Sequence, residues 1–348
     1  MPESTAATPP ALPGGDGKAA SLRIAELIDR IHESADLLAQ DRTSRGDLKI
    51  LSRALGELRY AFKVFAPYRG QRKVTVFGSA RTPPDAPAYA QAVAFARQMA
   101  AQRWLVVTGA ASGIMEAGHL GAGRDHAMGL NILLPFEQAA NHVIAGDPKL
   151  VHMKYFFTRK LMFVKESDAV CLLPGGFGTL DEGFEVLTLL QTGKHDLMPV
   201  VLLDQPGGDY WQVFEEFIRR GLLGRGMIDA DDLSLYRVAA SVEAAVAEIL
   251  GFYRVYHSMR YVRQKLVLRL QQPPSDELLE LLNERFADLL RKGRIELGGA
   301  LPEERDETAL AALPRLTLQF NRRSYGRLRQ MIDFINRAVP DAPGASAP

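Results

Sequence analysis

Apolar residues recur at two different spacings along the chain, and the change between them divides it into segments. From residue 21 to about residue 68 they recur every three or four positions, as on an amphipathic helix, and Arg45 and Gly46 interrupt the pattern. This segment predicts a helical hairpin. Beyond it, short apolar runs lead into small-residue turns and then into helical stretches, as in βα units around a parallel sheet. The predicted strands are 74–77, 104–108, 130–134, 169–173 and 199–203, and the predicted helices are 87–102, 114–124, 157–166, 179–192 and 210–220.

This alternation predicts an α/β fold with a doubly wound parallel sheet. Each strand is apolar through its length, which is typical of strands that are covered on both faces. The βα units fill residues 71–252, after a helical hairpin over residues 19–70. The segment 253–338 predicts a small α+β module of order βαββα, and the Pro-rich and Ala-rich ends, 1–18 and 339–348, are predicted to be disordered tails.

Composition and charge exclude several classes of protein. The chain has 348 residues, a net charge of +1 and 47% hydrophobic residues, which is ordinary for a globular protein and gives no electrostatic reason to expect nucleic acid as a partner. The single cysteine, Cys171, excludes an internal disulfide and predicts a buried, inert thiol in a reducing cytoplasm. Neither a secretory signal nor an apolar run long enough to cross a membrane is expected. The histidines lack metal-ligand spacing, so neither a metal nor a cofactor is predicted.

Two strand ends carry small residues that favour ligand binding. In an open α/β sheet, ligands bind at the carboxyl ends of the strands. Gly78 and Ser79 follow the first predicted strand, with a plain tight turn as the alternative interpretation. The loop after the second strand opens a helix whose free amides suit an anion, although it matches neither the dinucleotide fingerprint nor the Walker A loop. Its candidate binding residues are Gly109, Ser112, Gly113 and Met115.

The third strand end is the most specific, because residues 174–182 read Pro-Gly-Gly-Phe-Gly-Thr-Leu-Asp-Glu. Glycine amides can face an anion with no Cβ in the way. Thr179 is predicted to cap the following helix and to offer a hydroxyl group, and Glu182 is predicted in the first turn of that helix. The candidate binding residues here are Gly175, Gly176, Gly178, Thr179 and Asp181.

This segment resembles the Pro-Gly-Gly-x-Gly-Thr-x-x-Glu motif of the LOG (Lonely Guy) family, the cytokinin riboside 5'-monophosphate phosphoribohydrolases. An Arg-Lys pair on the preceding helix, Arg159 and Lys160, is similar to the second motif of that family. The resemblance covers roughly residues 73–250. It implies a Rossmann-like fold, a homodimer or higher homo-oligomer with the site near the subunit interface, and hydrolysis of the N-glycosidic bond of nucleoside 5'-monophosphates. Gly109, Ala110 and Ala111 stand where many relatives have three glycines, and the flanking hairpin and module indicate a longer bacterial relative, for which AMP-type nucleotides are expected.

The resemblance also implies roles for individual residues. Glu182 is expected to stabilise the ribosyl cation and to orient or deprotonate water, and Arg159 to hold the ribose or polarise the leaving base. Neighbouring helical residues point about 100° apart, so Lys160 is assigned separately, to phosphate or to a structural ion pair. Asp181, Glu137 and Thr188 are candidate ribose or base contacts, with surface or capping roles as the alternative. A nucleotide sensor without turnover remains the alternative function.

A basic and aromatic stretch from Tyr253 to Arg263 follows the core domain. We predict a docking helix there, with a nucleotide-phosphate site as the alternative.

Overall fold

A seven-stranded parallel sheet forms the centre of the molecule. The computed structural model describes residues 17–133 and 139–339. The strands of this sheet are β1 (Lys73–Phe77), β2 (Leu105–Thr108), β3 (Ala127–Ile132), β4 (Leu150–Met153), β5 (Ala169–Leu172), β6 (Val200–Leu203) and β7 (Arg237–Ala239). They pair in the order β4-β3-β2-β1-β5-β6-β7, and every neighbouring pair is parallel. The prediction of a doubly wound α/β fold is confirmed.

Helices cover both faces of this sheet. Along the chain the helices are α1 (Gly17–Gln40), α2 (Arg45–Phe65), α3 (Pro87–Ala101), α4 (Ile114–Ala122), α5 (Phe156–Glu166), α6 (Phe177–Gln191), α7 (Tyr210–Phe217) and α8 (Val242–Phe252). Those that contribute buried residues to the core are α2 to α8. Alternate strand residues point to opposite faces. On one face Val74 and Val76 of β1 pack with α3, α4 and α8, and on the other Phe77 packs with α2, α5, α6 and α7.

The strand order reverses between β1 and β5. The chain proceeds from β1 outward through β2 and β3 to β4, and then returns past β1 to form β5. Ligands of open α/β sheets bind at such a reversal, because the loops on either side diverge there. The backbone N–H of Ser79 donates to the carbonyl of Pro174 at 3.2 Å. This contact holds the loops after β1 and β5 side by side at the carboxyl edge of the sheet.

A second sheet of four antiparallel strands follows. Its strands are β8 (Tyr256–Val262), β9 (Lys265–Leu270), β10 (Leu290–Gly298) and β11 (Arg315–Phe320), paired in the order β10-β11-β9-β8, and its helices are α9 (Asp276–Arg285) and α10 (Tyr325–Ala338). The element order is therefore ββαββα rather than the predicted βαββα.

The additional strand is β8, in the stretch predicted as a docking helix, and that prediction is wrong. Its buried residues Tyr256, Met259 and Val262 are three positions apart, which imitates the spacing of a helix. A two-residue turn joins β8 to β9, with Arg263 in the left-handed region at φ 53°, as hairpin turns require. This tight turn pairs the stretch with β9 as a strand.

Other differences concern short elements and the chain ends. β4 and β7 were not predicted, since neither is a continuous apolar run: β4 contains the exposed His152, and β7 is three residues long and begins with Arg237. The predicted helix 210–220 ends at Phe217 and continues as a π turn, Ile218–Leu222. α1 begins at Gly17, and Val339 is buried, although both positions fall in the predicted tails. Residues 1–16 and 340–348 lie outside the described residues. Over the described ranges, no helix combines the length and apolar character needed to cross a membrane.

Candidate functional site

A cleft of about 880 Å³ opens at the carboxyl edge of the parallel sheet, where the strand order reverses. The loops after β1, β2 and β5 form its floor, and α5 and the first turn of α6 form its walls. Among the predicted site residues, those that line it are Gly78, Ser79, Gly109, Met115, Arg159, Gly175, Gly176, Gly178, Thr179, Asp181 and Glu182.

Glycine allows the loops of the cleft to approach each other closely. A Cβ on Gly175 would lie 2.1 Å from Thr179 Oγ1 and 3.0 Å from Ser79 N. A Cβ on Gly78 would lie 2.6 Å from Ile114 Cγ2. Both distances to side-chain atoms are far shorter than van der Waals contact, so any larger residue would separate the loops.

The first turn of α6 faces the cleft. The helix begins at Phe177, two residues earlier than predicted, and its N-cap residue is Gly176. Thr179 therefore lies inside the first turn rather than at the cap, and Glu182 lies beyond that turn, so both of these predicted positions are wrong. The first amides of a helix have no intrahelical partner, and the helix dipole gives them partial positive charge. This end of α6 is suited to an anion such as phosphate.

The start of α4, in contrast, is occupied by protein. The N–H of Ile114 donates to the Ser79 carbonyl at 3.0 Å, and Ser112 Oγ donates to the Ala80 carbonyl at 2.9 Å. Gly113, with φ 66°, would place a Cβ 2.4 Å from the Ser79 oxygen. Ser112 and Gly113, both predicted to bind ligand, lie behind the loop after β1 and support it.

A buried histidine supports the loop after β2. The Met128 carbonyl, 2.9 Å from His119 Nε2, can only accept, so Nε2 carries the proton and Nδ1 accepts from Asn141 Nδ2 at 3.2 Å. Burial lowers the pKa of His119 to about 4, which keeps the ring neutral. The N–H of Asn141 donates to the carbonyl of Ala110, a residue held at φ 60°. The network thus holds an alanine in the left-handed region, which side chains other than glycine rarely adopt.

Glu182, Arg159 and Lys160 form the charged centre of the site. Arg159 Nη2 lies 3.8 Å from Glu182 Oε1, and Lys160 Nζ lies 3.3 Å from Glu182 Oε2. Glu182 is buried, with 5% of its surface exposed. A carboxylate at such a position is stabilised by the two cations on α5.

Burial and charge oppose each other at these groups. Burial raises the pKa of the Glu182 carboxyl above its ordinary value, and the cations Lys160 and Arg159 counteract this only in part. Burial lowers the pKa of the Arg159 guanidinium, while Glu182 and Asp181 act in the opposite direction. Arg159 Nε is buried and has no hydrogen-bond partner in the described part of the chain. The site therefore combines the Glu182 carboxylate, whose proton affinity is raised, with the Arg159 Nε–H, a buried donor that has no acceptor among the described residues.

Lys160 is held by carboxylates on α6. Its Nζ lies 2.8 Å from Asp181 Oδ2 and 2.8 Å from Glu185 Oε2, in addition to Glu182. Burial alone would lower the pKa of its ammonium group, but these hydrogen bonds and charges outweigh burial and raise it. Between the two predicted roles of Lys160, this geometry favours the ion pair.

One further predicted contact lies apart from the cleft residues. Thr188 is exposed on α6 and does not line the cleft. Glu137 lies outside the described residues.

Several residues that line the cleft were missed by sequence reasoning, and three of them are Phe156, Phe163 and Asn131. Phe156 and Phe163 place their ring centres 4.9 and 5.6 Å from the guanidinium carbon of Arg159. They precede and follow Arg159 by three and four positions, so helical spacing could have identified them. Asn131 also lines the cleft, and its signal is a polar residue in the apolar run that forms β3.

Within residues 17–133 and 139–339, no group of three His, Cys, Asp or Glu side chains is placed to hold a metal ion. Cys171 is buried in β5, and burial raises the pKa of its thiol well above the ordinary value. A thiol in this state is a poor nucleophile.

Residues 108–249 match the model of a family described as possible lysine decarboxylase. This range contains the loops after β2 and β5 together with α5 and α6.

Among curated proteins, the chain is similar to phosphoribohydrolases. It is 34% identical over 116 residues to the probable cytokinin riboside 5'-monophosphate phosphoribohydrolase LOG6 of Arabidopsis thaliana, covering 29% of this chain and 56% of the relative. It is 33% identical over 112 residues to the cytokinin riboside 5'-monophosphate phosphoribohydrolase of Rhodococcoides fascians, covering 32% and 53%. The chain thus spans about half the length of these relatives.

Solved structures overlap with about half of the chain. The molybdenum cofactor binding protein from Rippkaea orientalis is 22% identical, with a TM-score of 0.36, and covers 51% of this chain and 93% of its own. The molybdenum cofactor carrier protein from Chlamydomonas reinhardtii is 22% identical, with a TM-score of 0.35, and covers 51% and 94%.

Proposed function

We propose that this chain is a nucleoside 5'-monophosphate phosphoribohydrolase, because residues 108–249 match the model of a family described as possible lysine decarboxylase and the chain is similar to proteins named cytokinin riboside 5'-monophosphate phosphoribohydrolases. The reaction is hydrolysis of the N-glycosidic bond to give free base and ribose 5-phosphate. The observation that carries the proposal is the buried Glu182 carboxylate, which faces the cleft 3.8 Å from Arg159, next to the anion-binding end of α6.

Glu182 performs the central step. Cleavage of the glycosidic bond develops positive charge on the ribose, and a carboxylate beside it stabilises that charge. Water attacks C1' as the C1'–N bond breaks, and its proton passes to Glu182. The bonding electron pair leaves with the base, which takes up a proton from solvent. The raised pKa of Glu182 makes it a better proton acceptor than an ordinary surface carboxylate.

The remaining groups bind the two ends of the nucleotide. The amides of the first turn of α6 and the Thr179 hydroxyl hold the 5'-phosphate. Arg159, with its unpartnered Nε, donates to the ribose or to the leaving base. Phe156 lines the cleft with half of its surface exposed and offers a ring face on which a base can stack. Purine monophosphates of the AMP type are the substrates we propose.

Decarboxylation through a lysine Schiff base is not favoured. Such a lysine must be able to lose its proton. The carboxylates around Lys160 raise the pKa of its ammonium group instead. The ammonium group of Lys165, the next lysine on α5, pairs with Glu166 at 2.5 Å.

A homo-oligomer with the cleft near its interface is part of the proposal. Phe157, Leu161 and Phe184 lie on α5 and α6, the helices that carry the charged centre, and all three are exposed. Adjacent exposed apolar side chains are typical of a surface that another subunit covers.

Product analysis with matched variants tests the proposed activity. The purified protein, Glu182→Gln and Glu185→Gln are each incubated with a panel of nucleoside monophosphates, and base and ribose 5-phosphate are separated by chromatography. We expect Glu182→Gln to lose about 10²–10³-fold in kcat, the size typical of removing one group that stabilises the transition state. Glu185→Gln removes a carboxylate that also contacts Lys160 but does not line the cleft, so it should retain most activity.

The same experiment separates the enzyme from a nucleotide sensor. If the wild-type protein binds a nucleotide in calorimetry but releases no base from any member of the panel, the hydrolase proposal is wrong and the sensor takes its place.

A further inference from the structure

Glu57 of α2 is a buried carboxylate with three hydrogen-bond donors. Its Oε1 accepts from the backbone N–H of Lys154 at 2.8 Å and from Arg53 Nε at 2.9 Å, and its Oε2 accepts from Thr158 Oγ1 at 2.8 Å. Only 6% of the residue is exposed. Burial alone would raise the pKa of this carboxyl, but the hydrogen bonds outweigh burial and lower it. Glu57 is therefore an ionised group fixed in one place.

Two of the donors, the Lys154 N–H and Thr158 Oγ1, lie at the start of α5. The residue that precedes this helix, Tyr155, provides no side-chain cap. A carboxylate close to the first turn satisfies free donors and interacts favourably with the helix dipole. Thr158 Oγ1 also lies 2.9 Å from the Tyr155 carbonyl, but the carboxylate is the stronger acceptor. Glu57 thus caps α5 from a different helix.

The capped turn carries the cations of the charged centre. Thr158 is followed directly by Arg159 and Lys160, which lie 3.8 and 3.3 Å from the carboxylate oxygens of Glu182. A helix is stiff over one turn, so a displacement of its first turn also displaces these two side chains. The placement of α5 on Glu57 therefore sets the distances at the charged centre.

We propose that Glu57 is a positioning residue of the site: it fixes the first turn of α5 so that Arg159 and Lys160 meet Glu182. The hairpin helix α2 lies outside the matched range 108–249, but through Glu57 it contributes to the geometry of the proposed active site. This inference rests on the proposed function.

The first test is the pH profile of kcat/KM for Glu57→Gln and Glu57→Ala. The charges of Arg159 and Lys160 lower the pKa of Glu182. If these side chains move away from Glu182, its pKa rises, and the acid limb of the pH profile moves to higher pH. We expect the midpoint of the acid limb to move by about 0.5–1 pH unit, which is less than the roughly 1–3 units by which a neighbouring opposite charge shifts a pKa. We also expect kcat to fall about 10- to 100-fold, as for a small misplacement of catalytic groups, with a smaller change in KM. Gln keeps one acceptor oxygen and should retain more activity than Ala.

Glu304→Gln provides the matched control. Glu304 is buried to a similar degree, also accepts from a backbone N–H and from arginines, and lies in the second sheet, away from α5. It should leave the acid limb at the wild-type position. If folded Glu57→Gln has the wild-type limb and the wild-type kcat, the proposal is overturned.

Hydrogen exchange of the segment 154–160 gives a readout that does not depend on turnover. We expect Glu57→Gln, and Thr158→Val if Glu57→Ala does not fold, to speed exchange in this segment relative to the buried strands β1 and β5, whereas Glu304→Gln should leave this ratio of rates unchanged. A wild-type ratio of rates in the Glu57 and Thr158 variants would also overturn the proposal. If the wild-type protein releases no base from any nucleotide, the proposed function fails on its own, and the exchange result still decides whether Glu57 fixes α5.

Discussion

Gly175 and Gly176 are adjacent in the glycine-rich loop but have opposite steric requirements. A Cβ on Gly175 would collide with Thr179 Oγ1 at 2.1 Å, whereas nothing lies within 4 Å of a Cβ on Gly176. Gly176 has an ordinary φ of −86°, so alanine is compatible with its backbone. The sequence motif does not distinguish these two glycines. The difference between them becomes visible only in the structure, where the loop after β1 and Thr179 approach Gly175.

We predict that Gly175→Ala impairs the site more than Gly176→Ala, whose methyl group would enter open space in the ligand-free cleft. The methyl group of the first variant pushes the loop away from Thr179 and Ser79, and kcat/KM should fall about 10- to 100-fold, the range expected when catalytic groups move by about 1 Å. Both variants add the same methyl group to the same loop, so the second is the control. Equal activities of the two variants would contradict the steric explanation. Steady-state kinetics, with nucleotide titration by calorimetry, provide the measurement.

At the scale of elements, the sequence predicts best the strands that are apolar through their length. Apolar runs identified five strands of the parallel sheet, because strands covered on both faces have no polar positions to obscure the pattern. β8 was misassigned because its buried residues are three apart, and pairing with β9, a non-local interaction, decides its conformation. A pattern within one segment contains no information about the partner strand.

In the candidate site, too, residues marked by a local motif were predicted, and residues placed by contacts distant in sequence were not. Glu182 and Arg159 were predicted through motifs, and helix and loop geometry places both in the cleft. Glu57 was not predicted, because it lies 97 residues before Lys154, whose backbone it binds, and nothing local marks it. Ser112 and Gly113 were assigned to ligand because a small-residue loop before a helix has the same composition whether it binds phosphate or another loop.

Glu304 connects three elements of the second sheet. Its Oε1 lies 2.6 Å from Arg269 Nη2 of β9, and its Oε2 lies 3.3 Å from Arg315 Nε of β11 and accepts from the N–H of Leu301 at 3.0 Å. Both arginines are buried. Removal of the carboxylate leaves the charge of Arg315 without its Glu304 partner, while Arg269 keeps Glu307 at 2.5 Å, and breaking a buried ion pair in this way typically costs about 3–5 kcal/mol.

We therefore predict that Glu304→Gln lowers the free energy of unfolding by about 3 kcal/mol at neutral pH. Burial raises the pKa of Glu304, but hydrogen bonds outweigh it and lower the pKa below the ordinary 4.5. The carboxylate therefore contributes stability above pH 4.5, and the contribution is lost as the pH falls through the lower folded value. Urea unfolding of both proteins from pH 7 to pH 3 should show the difference shrinking toward acid.

The control for this prediction is an exposed ion pair of the same sheet. Glu280 lies 2.7 Å from Arg294, and both side chains are more than half exposed. Exposed pairs contribute little, so Glu280→Gln should change stability by less than about 1 kcal/mol. A pH-independent loss in Glu304→Gln would contradict the assignment to its ionised form.

At the scale of the whole molecule, the two sheets share one apolar core. Buried residues of α6, such as Val186 and Leu190, belong to the same cluster as Leu268 of β9 and Leu318 of β11. Asn336 of α10 also binds the backbone at the junction. A continuous core of this kind predicts that the parallel sheet and the second sheet unfold together.

The position of the tryptophans makes this coupling measurable. Trp104 and Trp211, the two tryptophans of the chain, are buried in the part that carries the parallel sheet. Asn283 lies in α9, and among the described residues its side chain bonds Leu279 and Ile295, both in the C-terminal part. A change at Asn283 therefore perturbs one part, while tryptophan fluorescence reports on the other.

We predict that Asn283→Ala shifts the urea midpoint seen by tryptophan fluorescence as far as the midpoint seen by far-UV circular dichroism. The variant loses the side-chain hydrogen bonds to Ile295, at a cost of about 1–3 kcal/mol, and in a single cooperative unit that cost reaches every probe. If the second sheet unfolded by itself, the fluorescence midpoint would stay at the wild-type value while the dichroism transition broadened or split. In that case the shared core would not couple the two sheets, and the residues after Phe252 would behave as an independent domain.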